Sequence, residues 1–332
     1  EDLMTLLAQL TASRRPCALV TVVRCDPPTS ARPGDKAIVT SDGRLRGWVG
    51  GSCAEPVVRR EALRALSHGS PCLVRIRPEG GVAGEESFGG GGPSELIAAS
   101  SCPSGGSLDV FIEPQLPKPQ LLVFGDSPAA RTLVQLASLT GFRTCAIHPG
   151  ARPEDHAGAD LVLPSLELAA VSPDDDTWAV VATMGHYDED ALEACLVLPR
   201  LEVALVASGR RTEAVREALR GRGLDDAALR RVRAPAGAVR GATQEEIALF
   251  ALAEVVSLRR ARQRTGAGAL QRDLEATVSR FVTDPVCGMV VESGAGAVSI
   301  LHEGARIHFC SAGCREKFEA SPAAFLRTGG PG

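Results

Sequence analysis

The stretch LLVFGDSPAA, residues 121–130, decides the fold of the middle of this chain. Its four leading apolar residues predict a buried strand, and Gly125 before a Ser-Pro-Ala-Ala run predicts a tight turn into a helix. A dinucleotide-binding fold carries its G-x-G-x-x-G/A motif at this position. Ser127 replaces the glycine that lets the backbone approach a pyrophosphate, and His148 stands where an acidic residue would hold a ribose. The pattern predicts a Rossmann-like domain and disfavours ordinary NAD binding.

Further patterns on both sides of this turn set the domain organisation. Short apolar strands alternate with helices through residues 120–262, which predicts a parallel sheet with crossover helices. The sequence predicts a mixed α/β domain over residues 1–115, a linker, either extended or helical, over 263–280, and a small α+β domain of the metal-binding type over 281–328. The proline-punctuated residues 113–119 set the first boundary, because proline favours extended chain. The predicted fold class is therefore α/β with these three domains.

Composition argues against several classes of protein. The 332 residues carry a net charge of −4, so we expect no nucleic-acid partner. There is no 18-residue apolar run, and the first residues do not resemble a signal peptide, so we expect no membrane span and a cytoplasmic protein. Ten cysteines are too few for a disulfide scaffold, and in a reducing compartment clustered cysteines favour metal binding or catalysis.

Two glycine-rich loops of the first domain carry cysteines. One precedes a predicted helix, whose positive N-terminus favours a thiolate, and the other brings backbone N–H groups towards a ligand. The candidate ligand residues of these loops are Gly50, Gly51, Cys53, Glu55, Cys102 and Gly105. A small buried residue at a tight turn explains either cysteine equally well. If the loops share one cleft, Cys53 and Cys102 lie near each other.

Candidate ligand residues of the Rossmann-like domain follow its predicted strands, because open parallel sheets bind ligands at the carboxyl ends of their strands. They are Gly125, Ser127, His186, Tyr187, Asp188, Ser208, Arg210 and Arg211. The helix start at residues 208–211 suits a phosphate, since free N–H groups and arginines both bind anions. A capped helix with solvated arginines explains that segment as well, and a turn with a helix-capping Asp explains residues 185–189.

Three cysteines near the C-terminus predict a soft metal site. Cys310 and Cys314 are four residues apart on one predicted helical turn, and Cys287 is the third candidate ligand. Three sulfurs suit Cu(I), whereas Zn(II) requires a fourth ligand, for which His302 and His308 are candidates. A small domain with buried thiols is the alternative. The metal hypothesis predicts that the three thiols converge.

At these motifs the sequence resembles two known families. Residues 1–262 resemble the XdhC/CoxI family of accessory proteins, which mature xanthine dehydrogenase and carbon monoxide dehydrogenase. Its seven motifs include GWVGGSCAE from Gly47, CPSGG from Cys102, GDSP from Gly125, GHYDE from Gly185 and ASGR from Ala207. Residues 284–326 resemble the YHS domain through DPVCGM, FCSAGC and a trailing phenylalanine.

The resemblance implies a maturation factor (chaperone) that binds the molybdenum cofactor, protects it, supports its sulfuration and inserts it into a molybdenum hydroxylase. The implied cofactor is molybdopterin, with its cytosine dinucleotide as one form, and the YHS resemblance implies copper or zinc. The implied partners are an apo molybdenum hydroxylase, a cysteine desulfurase and, as a candidate, a second copy in a homodimer. Such a protein has no turnover of its own.

Two other functions remain open. The Rossmann-like half motivates an NAD(P)-dependent oxidoreductase, although the dinucleotide fingerprint is poor. The cysteine cluster motivates a copper- or zinc-binding metal-delivery or sensor protein that acts through its C-terminal residues.

Overall fold

A computed structural model shows the chain as two compact units. The first comprises residues 1–117 together with 270–332, and the second comprises residues 118–269. The structure describes residues 2–51, 53–78, 85–86, 94–100, 105–174, 176–199, 201–236, 243–264, 269–294 and 296–326. Among the helices of these residues, none is long and apolar enough to cross a membrane.

The first unit is built on a mixed seven-stranded sheet in the order β3-β2-β1-β7-β4-β6-β5. Neighbouring strands are antiparallel except for the parallel pair β4–β6. The elements are α1 (Leu3–Ala12), β1 (Cys17–Asp26), β2 (Lys36–Thr40), β3 (Leu45–Gly47), α2 (Glu55–His68), β4 (Cys72–Pro78), β5 (Glu85–Glu86), β6 (Ser94–Ser100) and β7 (Ser107–Gln115). The predicted mixed α/β character is confirmed. The sequence of residues 80–92 is rich in glycine and predicts a loop, but of these residues only 85 and 86 are among the described ones.

Helix α2 covers one face of this sheet because its apolar residues recur at helical spacing. Val58, Ala62, Leu63 and Leu66 are buried in the core that the helix shares with β1, β4 and β7. Pro56 stands in the first turn, where its missing N–H costs nothing, and Gly69 ends the helix in the left-handed conformation.

The second unit is a six-stranded, wholly parallel sheet in the order β10-β9-β8-β11-β12-β13. Its elements are β8 (Gln120–Phe124), α3 (Pro128–Leu139), β9 (Arg143–Ile147), β10 (Leu161–Leu163), β11 (Thr177–Val181), α4 (Asp188–Leu196), β12 (Glu202–Leu205), α5 (Gly209–Gly221), α6 (Asp226–Leu229), β13 (Val232–Arg233) and α7 (Gln244–Arg264). This order is that of the doubly wound Rossmann fold, so the predicted Rossmann-like domain is confirmed.

Apolar side chains cover both faces of this parallel sheet. Helices α3 and α7 pack on one face, and helices α4 and α5 contribute to the core on the other. The predicted capping box starts α7: the Thr243 N–H donates to Glu246 Oε2 at 2.7 Å, and the Glu246 N–H donates to Thr243 Oγ1 at 3.3 Å. The strand order reverses between β8 and β11, which is where such sheets form a ligand crevice.

The C-terminal residues form a helix, two short hairpins and two further helices. The elements are α8 (Ala269–Val278), β14 (Phe281–Thr283), β15 (Val290–Glu292), β16 (Val298–His302), β17 (Ala305–Phe309), α9 (Ala312–Ala320) and α10 (Pro322–Phe325). Residues 263–280, predicted as a linker with a helical conformation left open, contain the end of α7 and all of α8. Leu274 of α8 is 1% exposed and lies in the core of the first unit, which explains why this segment is ordered helix.

The hairpin β14–β15 also belongs to that core. Phe281 and Val290 are buried among the apolar residues of the first unit. Arg59 of α2 holds the hairpin from outside: its Nη1 lies 2.8 Å from Glu292 Oε2, and its guanidinium lies over the Phe281 ring at 5.0 Å from the centroid. The same side chain donates from Nε to the Gly43 carbonyl at 2.6 Å. The hairpin therefore packs against the first unit and is not joined to it by a linker alone.

Candidate functional site

The turn after β8 lies in the crevice of the second unit and requires glycine. Gly125 has φ +127°, and a β-carbon there would lie 2.3 Å from the Ala182 carbonyl oxygen, which follows β11. The next residue but one, Ser127, donates from Oγ to that same carbonyl at 2.8 Å. The turn is therefore closed against the neighbouring strand, as the sequence motif predicts.

The helix start at this turn is poorly suited to a pyrophosphate. Pro128 has no N–H, and the Ala130 N–H is taken by Ser127 Oγ at 3.1 Å. Asp126 adds a carboxylate to the same turn, where two phosphates would need positive potential. Both oxygens of Asp126 accept hydrogen bonds from Arg131, at 2.7 and 2.9 Å, and these bonds hold the pKa of that carboxyl below its usual range.

A pair of aromatic polar side chains spans the ends of β9 and β11. His148 Nδ1 and Tyr187 Oη are 2.8 Å apart. Burial, with smaller contributions from Asp126 and Asp188, raises the pKa of Tyr187 to about 12, so its hydroxyl stays protonated at neutral pH. His148, which stands where other dinucleotide folds carry an acidic residue, thus contacts a predicted ligand residue.

A second histidine in this region was not singled out from the sequence. His156 is 4% exposed, and both of its ring nitrogens are buried without a hydrogen-bond partner in the described structure. Its Nε2 lies 3.9 Å from Asp126 Oδ1. Burial lowers the pKa of His156, so the ring is neutral at pH 7. The sequence gives little indication that this histidine belongs to the site, because a single histidine after a segment with two prolines is common at protein surfaces.

Asp188 and Arg211, both predicted ligand residues, bind each other. Asp188 is buried and accepts hydrogen bonds from Thr183 Oγ1 and, at 3.0 Å, from Arg211 Nε. Arg211 Nη2 also donates to Glu189 at 3.0 Å. These carboxylates raise the pKa of Arg211 and compensate its charge, which leaves it less suited to a phosphate than the sequence predicts.

Arg210 is the exposed cation of that helix start. Ser208 caps α5 by accepting from the Arg211 N–H at 3.2 Å, and Ser208, Gly209 and Arg210 are exposed at the end of β12. His186, in the preceding turn, is exposed as well. Arg210 therefore faces solvent, whereas Arg211 connects α5 to α4 through its ion pairs.

The cysteine loop of the first unit leads directly into α2. Gly50 is buried with φ +125°, and Gly51 and Glu55 flank a half-buried Cys53 at the helix start. Gly105, with φ +72°, is exposed just before β7. Cys102 lies outside the described residues, so its predicted proximity to Cys53 stays a prediction.

The C-terminal thiols converge, as predicted. Cys287 Sγ and Cys310 Sγ are 3.5 Å apart, and Cys310 Sγ and Cys314 Sγ are 3.6 Å apart. Asp284 joins them, and one ligand atom from each of the four residues lies within 4.8 Å of all the others. Neither His302 nor His308, the candidate fourth ligands, belongs to this group; His302 instead packs edge-on against the Phe318 ring at 5.4 Å.

Backbone geometry shapes this cluster. Asp284 is fully buried; its Oδ1 accepts from the Val286 N–H and its Oδ2 from the Cys310 N–H, both at 2.8 Å. Burial opposes ionisation, but these bonds and those from the neighbouring thiols outweigh it and hold the pKa of Asp284 below its usual range. Burial and the hydrogen bonds to its neighbours raise the pKa of the Cys310 thiol, so a bound cation would be required to stabilise its thiolate.

Four other cysteines are core residues. Cys17, Cys72, Cys145 and Cys195 are buried, and burial raises the pKa of each thiol. They are neutral at pH 7 and chemically inert.

Fold and site together define a Rossmann-type protein without a working dinucleotide fingerprint, joined to a mixed α/β unit. Residues 10–77 match the XdhC and CoxI family, and residues 121–255 match the XdhC Rossmann domain. The chain thus contains both domains, and the two matches, which cover more than half of it, support the XdhC/CoxI family as its family.

The sequence of the chain is similar to parts of two known proteins. The chain is 27% identical over 268 residues to the uncharacterized protein YqeB of Escherichia coli (strain K12), covering 78% of this chain and 46% of that protein. Over 54 residues it is 46% identical to a copper-transporting P-type ATPase of Rhizobium leguminosarum bv. viciae, covering 16% and 6%. The chain thus spans about half the length of the first relative and a small part of the second.

A crystal structure described as a xanthine dehydrogenase, from Bacillus halodurans, overlaps with a TM-score of 0.38 at 18% identity. The overlap covers 79% of this chain and 97% of that one.

Proposed function

We propose that this protein is an accessory factor that binds the molybdenum cofactor and delivers it to an apo molybdenum hydroxylase of the xanthine or carbon monoxide dehydrogenase type. The observation that carries the proposal is the crevice of the second unit, which keeps the Rossmann turn at Gly125 but places Asp126 where a pyrophosphate would bind. Two matched domains of the XdhC/CoxI family support the same role.

The polar groups of the crevice suit a pterin better than a dinucleotide. A pterin ring carries an amino group and ring N–H groups, and a carboxylate such as Asp126 accepts hydrogen bonds from groups of this kind. The protonated hydroxyl of Tyr187 and the ring of His148 add a donor and an acceptor nearby. The exposed Arg210 at the start of α5 is the group we assign to the cofactor phosphate. Cys53, which lies in the first unit, is a separate candidate thiol in support of sulfuration.

An anaerobic purification tests the proposal. The full chain is isolated from a molybdenum-replete host, and released pterin is oxidised and measured by fluorescence. We expect stoichiometric pterin in the wild type and at least a tenfold lower pterin content in Arg210→Ala. A hydrogen bond to a charged group contributes about 1.5–3 kcal/mol to the free energy of binding. Arg222→Ala is the matched control, because Arg222 lies at the opposite end of α5 and pairs with Asp190 and Glu193.

Two outcomes would overturn this function. One is the absence of pterin together with no gain in activity of an apo hydroxylase mixed with the protein. The other is tight, saturable binding of NAD(H) or NADP(H) in an equilibrium titration, which would restore the oxidoreductase hypothesis.

A second function, metal binding by the C-terminal residues, is favoured by the cluster of Cys287, Cys310 and Cys314. Three thiols fit a copper or zinc ion by the chemistry of their donor atoms. The similarity of 54 residues to a copper-transporting ATPase supports a metal role. If this role were the whole function, Cys310→Ser would abolish maturation as well as metal content; if maturation persists, the metal role is accessory.

A further inference from the structure

We propose that Asp284 is the fourth ligand of the C-terminal thiol cluster, and that the cluster is a Cys₃Asp site for one four-coordinate divalent ion of the Zn(II) class. The inference deepens the proposed metal role of the C-terminal residues and is independent of pterin binding.

The placement of the carboxylate supports this assignment. Asp284 is fully buried, and one of its oxygens lies in the same group of ligand atoms as the three sulfurs. Each of its oxygens accepts one backbone N–H, from Val286 and from Cys310. A carboxylate oxygen has two lone pairs, so these bonds orient the group and still leave it able to bind an ion.

The spacing of the sulfurs fits one ion. In a tetrahedral zinc site with Zn–S bonds of about 2.3 Å, neighbouring sulfurs lie about 3.7–3.8 Å apart. The separations of Cys310 Sγ from Cys287 Sγ and Cys314 Sγ, 3.5 and 3.6 Å, are close to that value. The three thiols are therefore placed for an ion without a rearrangement of the backbone.

The donor set distinguishes between the two metals. Cu(I) is soft and is satisfied by three thiolates, so a carboxylate beside it would add an uncompensated negative charge in a buried position. Zn(II) carries a second positive charge, accepts carboxylate oxygen readily and forms four bonds in structural sites. Asp284 thus completes the set that zinc requires, in place of His302 or His308, the candidate fourth ligands from the sequence.

The ligands come from two segments that only the fold brings together. Asp284 and Cys287 lie in the turn of the hairpin β14–β15, which is packed into the core of the first unit. Cys310 and Cys314 bracket the start of α9, which is capped by Ser311 Oγ accepting from the Cys314 N–H at 3.2 Å. A bound ion therefore cross-links the β14–β15 hairpin to the β16–β17–α9 segment within the first unit.

Metal affinities of the full chain test the assignment. Zn(II) and Cu(I) are titrated separately against chromophoric chelators for the wild type, Asp284→Asn, Cys310→Ser and Glu303→Gln. We expect Asp284→Asn to weaken Zn(II) binding at least about tenfold and to change Cu(I) binding less than about threefold. Cys310→Ser should weaken both. Glu303→Gln is the control, because Glu303 is an exposed acid in the turn between β16 and β17, outside the cluster.

X-ray absorption of the zinc-loaded wild type is the second measurement, because it does not depend on the folding of a variant. We expect a first shell of three sulfurs and one oxygen. A shell of sulfur alone, or of sulfur and imidazole nitrogen, would overturn the assignment. So would equal losses of both metals in Asp284→Asn, which would give Asp284 a purely structural role, or a wild type that binds Cu(I) and not Zn(II).

Discussion

Truncation of Phe281 tests whether the C-terminal hairpin is part of the first unit. Phe281 is 7% exposed, packs in the core shared with α2 and lies under the Arg59 guanidinium. Phe281→Ala removes a buried ring and leaves a cavity, which typically costs about 3–5 kcal/mol, and the cation–π contact adds about 0.5–1 kcal/mol. We expect a loss of about 4 kcal/mol in the free energy of unfolding of the first unit.

The chain offers a separate fluorescent probe for each unit. Its two tryptophans are Trp48, half-exposed in the first unit, and Trp178, buried in the second. Urea unfolding followed in a Trp178→Phe background reports on the first unit, and unfolding in a Trp48→Phe background reports on the second. At a slope of about 2–3 kcal/mol per molar urea, Phe281→Ala should lower the Trp48 midpoint by more than about 1 M.

The second unit should be unaffected by Phe281→Ala. The Trp178 midpoint should stay the same, because Phe281 belongs to the core of the other unit. Leu301→Ala, an exposed position on β16, is the control and should alter stability by less than about 0.5 kcal/mol. A Trp48 midpoint that moves by no more in Phe281→Ala than in Leu301→Ala would refute the packing of the hairpin into the first unit.

Three further predictions concern the crevice of the second unit. Gly125→Ala should destabilise that unit by at least about 1–3 kcal/mol in urea unfolding, because φ is +127° and the new methyl would lie 2.3 Å from a carbonyl oxygen; an unchanged midpoint would contradict the close approach. Tyr187→Phe removes the 2.8 Å contact to His148 and should cost about 0.5–1.5 kcal/mol by the same assay; a larger loss would indicate a packing role. The folded pKa of Asp126 lies below the unfolded value of about 3.9, so its stabilisation is complete above that pH and is lost as pH falls through the folded pKa. Arg131→Met should reduce this acid sensitivity in unfolding curves measured below about pH 4, and an unaltered pH profile would count against the pair.

Local patterns were sufficient for the crevice turn and for part of the metal cluster. The turn at Gly125 follows from an apolar strand, a glycine and a helix start that are contiguous in the chain. The pairing of Cys310 with Cys314 follows from their spacing of four residues. In both cases the interacting residues are close in sequence, so backbone geometry alone places them.

Partners that are distant in sequence were not predictable in this way. Arg211 has the sequence context of a phosphate ligand, yet its guanidinium binds Asp188 and Glu189, which are 23 and 22 residues away. His156 reaches the neighbourhood of Asp126 only because the segment after β9 folds back beside the turn. A single sequence does not encode such contacts in its spacing, since they depend on how helices and loops pack over the sheet.

The sequence by itself determined the alternation of strands and helices, the Rossmann turn and the trio of cysteines, because periodicity and spacing are local properties of the chain. Only the tertiary structure decided which groups meet across it. It placed the buried carboxylate of Asp284 beside the thiols, where the sequence offered two histidines as candidate fourth ligands of zinc. It also packed Leu274 and Phe281 into the core of the first unit, where the sequence indicated a linker and a separate domain. The physical reason is that burial of apolar surface is non-directional, so it selects partners by shape and proximity in the folded chain and not by their order in the sequence.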